Sequence, residues 1–365
     1  MARVSARTMS SDVESLQAYL DARTEIGALV ESLPNDRVRC LACGHRCLIP
    51  PGARGVCKVR FNRDGELRVP HGYVSGLQVD PVEKKPFFHL LPGAQALSFG
   101  MLGCDLHCDY CQNWVTSQTL RDDAAGSPMT DISAEAIVEA ALGRGCDLVV
   151  STYNEPLITI EWAVEVFQCA RERGLKTAFV SNGNTTPEAL DYLAPWIDAY
   201  KVDLKTMSDA GYRRLGGVRA HILESIRALH ERGIWLEVVT LVVPDFNDAE
   251  HELREAAEFL ADVSRDIPWH VTAFHPQYRM PETPATEPDT LMRAVRYGAD
   301  VGLRYIYPGN LPGRVGRWED TRCPECASTL VRRSGFDVLE NRVVSDEACV
   351  GHCPDCGTVI PGVWD

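Results

Sequence analysis

Three cysteines in the stretch GCDLHCDYCQNW have the residue type and spacing best suited to chemistry, namely Cys104, Cys108 and Cys111. Closely spaced thiolates bind metals in a reducing compartment, and no fourth cysteine lies beside these three. A structural zinc ion takes four ligands in a closed shell, whereas three thiolates on an iron–sulfur cube leave one iron open to a small molecule. The spacing therefore favours a [4Fe–4S] cluster with an open iron, and structural zinc with a distant fourth ligand is the alternative.

Most of the other cysteines in the chain, which has 14 in all, form two further groups. The C-terminal group contains two Cys-x2-Cys pairs around strand-like sequence, which is typical of a zinc ribbon, and we expect structural Zn²⁺ there rather than a second cluster. The N-terminal group suits either zinc or an auxiliary iron–sulfur cluster, because both accept four thiolates. The C-terminal ligands are Cys323, Cys326, Cys353 and Cys356, and the N-terminal ligands are Cys40, Cys43, Cys47 and Cys57. Cys349 fits no ligand position, and Cys146 and Cys169 are predicted core residues.

Composition and charge exclude some classes of protein. The chain has 365 residues, 45% hydrophobic composition and a net charge of -14, so we expect no binding to duplex nucleic acid through overall charge. No apolar stretch is long enough for a signal peptide or a membrane span, so no membrane partner is expected. We therefore predict a cytoplasmic protein, in which thiols stay reduced.

The elements that must position these cysteines follow from the hydrophobic pattern. From about residue 96, seven short apolar runs alternate with helical stretches, which predicts an α/β fold with a parallel sheet in a partial or full (β/α) barrel. The predicted regions are a helical leader over 1–35, an N-terminal cysteine knuckle over 36–95, the barrel over 96–311 and a zinc-ribbon-like region over 312–365. The three-cysteine loop follows the first barrel strand, where barrel enzymes place their chemistry.

Polar residues follow several of the other predicted strands. Asn154 and Glu155 end the second strand, Ser181 and Asn182 end the third, Asp203 and Lys205 end the fourth, and His275 ends the sixth. Each of these positions also suits an ordinary turn or a surface ion pair, so residue type alone leaves both interpretations open. The stretch DPVEKKPFFH, with Lys84, Lys85 and His89, is expected to be a solvated loop before the barrel.

The motif Cys-x3-Cys-x2-Cys with Tyr110 before its last cysteine resembles the signature of the radical S-adenosylmethionine (SAM) superfamily. The stretches DPVEKKPFFHLLPG, GMLGCDLHCDYCQNW, TYNEP, VDLK, FHPQY and YPGN more closely resemble the radical SAM member of the AmmeMemoRadiSam system, which is related to pyruvate formate-lyase-activating enzymes. This resemblance implies a partial barrel, a [4Fe–4S] cluster on the three cysteines, and SAM cleavage to a 5′-deoxyadenosyl radical.

The resemblance also implies cofactor-binding roles. Asn154 and Glu155 stand where the superfamily often has a Gly-Gly-Glu stretch, so the carboxylate that binds the SAM ammonium is kept while the glycines are absent. Asp203 and Lys205 match the Asp-x-Lys of the activating enzymes. Tyr110, Ser181, Asn182 and His275 are the remaining candidates for the SAM site. An electron donor such as flavodoxin or ferredoxin is implied, and Memo-like and AMMECR1-like proteins are possible partners.

Three functions remain open at this point. The first is a radical SAM oxidoreductase that modifies a small molecule or RNA. The second is an activating enzyme that makes a glycyl radical on a partner protein. The third is a non-enzymatic scaffold or adaptor in which all three cysteine groups bind zinc.

Overall fold

The computed structural model of the protein describes residues 13–311 and 313–365. Within those residues, no helix combines the length and apolar character needed to cross a membrane. The first twelve residues of the predicted helical leader lie outside the described residues.

A short helix and seven short strands come before the large sheet. They are α1 (Val13–Asp21), β1 (Thr24–Ile26), β2 (Val30–Leu33), β3 (Arg37–Cys40), β4 (Leu48–Ile49), β5 (Phe61–Arg63), β6 (Glu66–Pro70) and β7 (Tyr73–Val74). The predicted helical leader is wrong beyond Asp21, because β1 pairs with β6 and β2 pairs with β3. Antiparallel partners there satisfy the backbone groups that a helix would have satisfied internally, so tertiary pairing overrides the helical pattern.

An eight-stranded sheet forms the centre of the protein. Its strands, with the short β10 (Thr130–Asp131) that pairs with β7 instead, are β8 (Gly76–Pro81), β9 (Gln95–Gly100), β11 (Leu148–Ser151), β12 (Lys176–Ser181), β13 (Ala199–Asp203), β14 (Trp235–Val242), β15 (Trp269–Ala273) and β16 (Ile306–Gly309). The spatial order is β16-β15-β14-β13-β12-β11-β9-β8. Only β8 runs antiparallel to its neighbour, and within the described residues the edge strands β8 and β16 do not pair. The seven predicted barrel strands are confirmed, in an open, partial barrel.

Helices connect the parallel strands. They are α2 (Trp114–Ser117), α3 (Ala134–Leu142), α4 (Ile160–Glu172), α5 (Pro187–Leu193), α6 (Asp209–Leu215), α7 (Arg219–Glu231), α8 (Glu250–Val263) and α9 (Pro288–Asp300). The side chains of Ser133, Thr186 and Ser208 accept hydrogen bonds from the first turns of α3, α5 and α6, as favoured N-cap residues do. Because each crossover returns the chain to the same edge of the sheet, the carboxyl ends of all seven parallel strands meet there.

Two small three-stranded sheets follow the barrel and form the ribbon. The first contains β17 (Thr321–Arg322), β18 (Thr329–Ser334) and β19 (Asp337–Asn341), and the second contains β20 (Val344–Ser345), β21 (Gly351–His352) and β22 (Val359–Ile360). The ribbon contacts the segment before β9, because the buried Arg333 donates to the Phe88 carbonyl at 2.7 Å and its Nε lies 3.6 Å from the Glu83 carboxylate.

The segment 82–94 is packed into the barrel rather than solvated, so the expected loop is wrong. The Glu237 carboxylate accepts hydrogen bonds from the backbone N–H of Phe88 and His89 and lies 2.6 Å from His270 Nε2. His89 is fully buried, with Nδ1 2.7 Å from the Pro361 carbonyl and Nε2 2.7 Å from the Tyr307 hydroxyl. A buried carboxylate needs such donors, which explains why the segment docks at this point.

Candidate active site

A cavity of about 460 Å³ lies where the loops at the carboxyl ends of the strands meet. Its lining includes all three cysteines of the loop that connects β9 to α2. Cys108 is buried, while Cys104 and Cys111 are partly buried. The Leu106 N–H donates to Cys104 Sγ at 3.3 Å, and Cys111 Sγ lies 3.1 Å from Ser117 Oγ.

Burial makes these thiols poor acids in the absence of a cation. It raises the pKa of Cys108 to about 12, although the nearby Lys205 ammonium opposes the shift. Burial, together with the Asp105 charge, also raises the pKa of Cys104. A bound metal supplies the positive charge that such thiols need in order to stay ionised, so the loop fits a metal centre.

The distances between sulfur atoms differ among the three cysteine groups. A zinc ion with four thiolates at about 2.3 Å holds the sulfur atoms about 3.8 Å apart. The four sulfur atoms of Cys323, Cys326, Cys353 and Cys356 all lie within 4.8 Å of one another, with Cys323–Cys356 at 3.5 Å and Cys326–Cys353 at 3.7 Å. Among the described residues, neither the three loop thiols nor any three of Cys40, Cys43, Cys47 and Cys57 lie that close together. The loop thiols are therefore spaced more widely than one zinc ion requires.

Glu155 is a buried carboxylate that lines the same cavity and accepts three hydrogen bonds. One of its oxygens accepts hydrogen bonds from Ser181 Oγ at 2.7 Å and the Leu157 N–H at 3.0 Å, and the other accepts from the Asn182 N–H at 2.8 Å. Burial, together with the charge of Asp105, raises the pKa of Glu155 to about 8. A carboxyl group with this pKa is poised to gain a cationic partner.

Asn154, the residue before Glu155, contacts the backbone at the start of the three-cysteine loop. Asn154 Oδ1 accepts a hydrogen bond from the Met101 N–H at 2.9 Å, just before the three-cysteine loop. Asn154 therefore fixes the start of the loop while it also lines the cavity.

Asp105 was missed by the sequence reasoning. It is buried between Cys104 and the β12 loop, and it accepts hydrogen bonds from Asn182 Nδ2 at 2.6 Å and Asn184 Nδ2 at 2.7 Å. His45 Nε2, from the N-terminal cysteine region, lies 3.7 Å from the same carboxylate. The available signal was a carboxylate directly after the first cysteine of the loop.

Two sets of lysines around an aspartate line the cavity. In the first, Asp203 accepts hydrogen bonds from Lys201 and, at 3.3 Å, from Lys205. In the second, Asp80 accepts from Lys84 at 2.6 Å and from Lys85 at 2.9 Å. The sequence reasoning named Asp203 and Lys205 but missed Lys201, although positions 201, 203 and 205 share the two-residue period of one strand face.

The remaining candidates differ in position. Tyr110 is buried and lines the cavity. His275 is exposed, with Nε2 3.2 Å from the Asn310 carbonyl. Contrary to the expectation, it does not line the cavity. A position at the end of a strand was therefore an insufficient criterion for a residue of the cavity. Asn310, after β16, and Phe336, at the tip of the β18–β19 hairpin, line the cavity instead.

Comparison with known proteins places the chain in a family. Residues 100–260 match the model of the radical SAM superfamily. An uncharacterized protein of Methanocaldococcus jannaschii, MJ0808, is 35% identical over 332 residues, which cover 90% of this chain and 97% of that protein. This chain belongs to the radical SAM superfamily.

Two relatives with named functions are glycyl-radical-enzyme activating enzymes. The isethionate sulfite-lyase activating enzyme of Oleidesulfovibrio alaskensis is 26% identical over 38% of this chain and 46% of that enzyme. The pyruvate formate-lyase-activating enzyme of Streptococcus mutans is 22% identical over 50% of this chain and 72% of that enzyme. The protein is therefore a radical SAM enzyme related to this group, as expected from the sequence, and the alternative of a non-enzymatic scaffold is wrong. Membership of the superfamily implies a [4Fe–4S] cluster and SAM.

Proposed function

We propose that Cys104, Cys108 and Cys111 bind the [4Fe–4S] cluster and that the adjoining cavity binds SAM. The observation that carries the proposal is the presence of three widely spaced thiols and the buried carboxylate of Glu155 in one cavity. When bound, the reduced cluster and SAM supply a one-electron cleavage to methionine and a 5′-deoxyadenosyl radical, which removes a hydrogen atom from the substrate.

The protein contributes binding and orientation. Glu155 would accept a hydrogen bond from the amino group of SAM, which is a strong, charge-assisted kind of contact. Ser181 and Asn182 hold the Glu155 oxygens in place, which fixes the direction of that contact. Lys205 lies near the Cys108 thiol, and its ammonium would supply positive charge to the SAM carboxylate, while Asp203 holds the lysine by a hydrogen bond.

Exclusion of water is a second contribution. Tyr110 is buried in the same group of packed side chains as Cys108, and it lines the cavity. A buried aromatic side chain at this place would keep water away from the reacting atoms, which protects reactive species and strengthens the contacts inside the site. His275 is left out of the proposed SAM site, because its side chain is exposed.

For the substrate, we propose a small molecule or an RNA nucleotide. This proposal is supported by the cysteine-containing regions on both sides of the barrel, which a minimal activating enzyme does not need. Membership of the AmmeMemoRadiSam system, with Memo-like and AMMECR1-like partners, is part of the same proposal. Flavodoxin or ferredoxin would supply the electron, and a cytoplasmic location stays a prediction.

Activation of a partner enzyme by a glycyl radical is the second candidate. It is supported by the names of the relatives, which denote activators of isethionate sulfite-lyase and pyruvate formate-lyase. In that case the substrate would be a polypeptide.

The C-terminal cysteines are proposed to bind one structural Zn²⁺, because all four thiols have the close spacing of a zinc site. The exposed Cys349 lies outside the set. The N-terminal cysteines stay proposed as a zinc site or an auxiliary cluster. The boundaries 36–95, 96–311 and 312–365 are proposed as the limits of the knuckle, the barrel and the ribbon.

The test is a metal count joined to a product assay, on protein purified and reconstituted without oxygen. We expect about four irons and at least one zinc per chain, with 5′-deoxyadenosine formed after addition of dithionite and SAM. Cys108→Ala should lose about four irons per chain and all of the product relative to the unmodified protein, whereas Cys349→Ser is the control and should lose neither. Iron and product that persist in Cys108→Ala would refute the proposed ligand set.

A further inference from the structure

We propose that Lys84 and Lys85 form an anion-binding subsite in this cavity, and that the substrate binds there through a carboxylate or phosphate group. The subsite itself is inferred from the contacts of these side chains, while its assignment to the substrate rests on the proposed function. It narrows the substrate to a compound that carries negative charge.

The distribution of lysine in the chain is the first observation. The sequence holds only six lysines against 31 arginines. Four of the six line this one cavity, namely Lys84, Lys85, Lys201 and Lys205. An ammonium is a compact point charge with three donors, whereas a guanidinium is broad and planar. The cavity therefore uses the cation that fits a confined space.

The balance of charge is the second observation. Asp80 accepts a hydrogen bond from Lys84 on one oxygen and from Lys85 on the other, so one negative charge faces two positive charges. Among the described residues, Asp80 is the only carboxylate within ion-pair distance of either lysine. The set around Asp203 has the same surplus, but the proposed function already assigns Lys205 there to the SAM carboxylate. The surplus at Asp80 has no such partner.

Burial makes one of these two positive charges, that of Lys85, costly to hold without an anion. The side chain of Lys85 is only 6% exposed, and burial lowers the pKa of its ammonium. A buried charge is stabilised when a counter-ion and hydrogen bonds satisfy it. An anion between Lys84 and Lys85 would supply both.

Tyr153 adds a further polar group at the same place. Lys85 Nζ donates to its hydroxyl at 3.2 Å, and a tyrosine that accepts one bond still has a proton to donate. Tyr153 also has a φ of 74°, in the left-handed region that side-chain-bearing residues rarely adopt. Such strain persists where the surrounding structure fixes a side chain for a task.

The subsite is accessible from outside. Lys84 is 46% exposed and follows β8, one edge of the open sheet. Asn310, after the opposite edge strand β16, and Phe336, from the ribbon, line the same cavity. An anionic compound could therefore enter between the two edges, with Phe336 in contact with its apolar part.

The test maps lysine reactivity on the reconstituted holoenzyme with saturating SAM. Amines are acetylated with an N-hydroxysuccinimide ester, and labelling is read by peptide mass spectrometry with inorganic phosphate or succinate as the probe. We expect one probe to lower the labelling of Lys84 saturably, and the stronger probe identifies phosphate or carboxylate as the group. The exposed Lys58 is the internal control and should keep its labelling.

Two substitutions are expected to change the affinity for the probe in opposite directions. Lys85→Gln should lower the affinity for the probe about tenfold, because a hydrogen bond to a charged group is lost. Asp80→Asn should tighten the probe severalfold, because a competing carboxylate is removed, and this variant keeps the test decisive if Lys85→Gln does not fold. Lys58→Gln should leave the affinity unchanged.

Two results would overturn the subsite: no saturable protection by either probe, or equal protection of Lys58 and Lys84. Formation of 5′-deoxyadenosine is measured on the same preparation. If 5′-deoxyadenosine forms but neither probe protects Lys84, the subsite alone is refuted. If a probe protects Lys84 but no 5′-deoxyadenosine forms, the subsite is retained and the proposed function is refuted.

Discussion

The coupling between SAM binding and the ionisation of Glu155 gives the sharpest prediction. The pKa of Glu155 is raised to about 8 by burial and by the charge of Asp105, so the free enzyme holds this group mainly protonated at pH 6. If SAM needs the ionised carboxylate, its affinity must rise with pH until the free group is ionised. About 1% of the groups are ionised at pH 6 and about half at pH 8, which corresponds to a gain of about 50-fold.

The assay is equilibrium dialysis of labelled SAM against the cluster-containing protein without oxygen, from pH 6 to pH 8. The informative quantity is the ratio of the Kd of Glu155→Gln to that of the unmodified protein. SAM has an amino group that titrates in the same range, and the ratio cancels this effect because it acts on both proteins equally. We expect the ratio to rise about 50-fold over the two pH units.

A control variant separates this effect from a general loss of carboxylate charge. Glu135 is exposed at the start of α3, far in sequence from the cavity residues, and Glu135→Gln should show the pH dependence of the unmodified protein. A Kd ratio for Glu155→Gln that stays constant with pH would refute the assignment of Glu155 as the ionised partner of SAM.

Three further predictions concern the rest of the fold. Cys326→Ser should lose one zinc per chain by elemental analysis while Cys349→Ser retains it, and equal zinc in both would contradict the proposed ligand set. Glu161→Gln should lower the free energy of unfolding in urea by about 3–5 kcal/mol, because Arg60 is buried and makes both of its ion-pair contacts with this carboxylate; a loss below about 1 kcal/mol would contradict this. Burial lowers the pKa of His89 to about 4, below its unfolded value, so its contribution to stability is present above pH 6.5 and is lost as the pH falls towards 4. His89→Gln should flatten the urea-unfolding profile in that range, and an unchanged profile would count against a neutral, buried imidazole.

The barrel was predictable because its signal is local and repeated. Each parallel strand is a short apolar run, and each crossover carries a helical pattern, so element type follows from one stretch of sequence at a time. The antiparallel edge strand β8 and the pairing of β1 and β2 were not predictable in this way. Their conformation depends on partners that are distant in the chain, such as β6.

The site was predictable where chemistry and position agree. The three cysteines and Glu155 combine a reactive type with a strand-end position, and the structure brings them to one cavity. His275 met the same criterion of position, but its side chain turns outward. Asp105 was missed because its partners, Asn182 and Asn184, lie in another loop and only folding brings them together.

The segment 82–94 shows the limit of composition as a guide. A stretch with two lysines, a histidine and two prolines reads as a solvated loop, yet Lys85 and His89 are buried. The reason is the carboxylate of Glu237, about 150 residues away, which accepts the backbone N–H groups of this segment. No residue within the segment indicates that Glu237 will be its partner.

The contact between residues 89–91 and residues 361–363 has a consequence for biosynthesis. The Leu91 N–H donates to the Val363 carbonyl at 2.7 Å, and the Val363 N–H donates to the His89 carbonyl at 2.8 Å. On the ribosome, residues 361–363 are made only after every strand of the eight-stranded sheet. The segment from Lys84 to Leu91 can therefore reach its final position only after residues 361–363 have been made. Delivery of iron and sulfide before that stage would meet a barrel whose cavity is still incomplete, so we expect maturation of the enzyme to follow synthesis of residues 361–363.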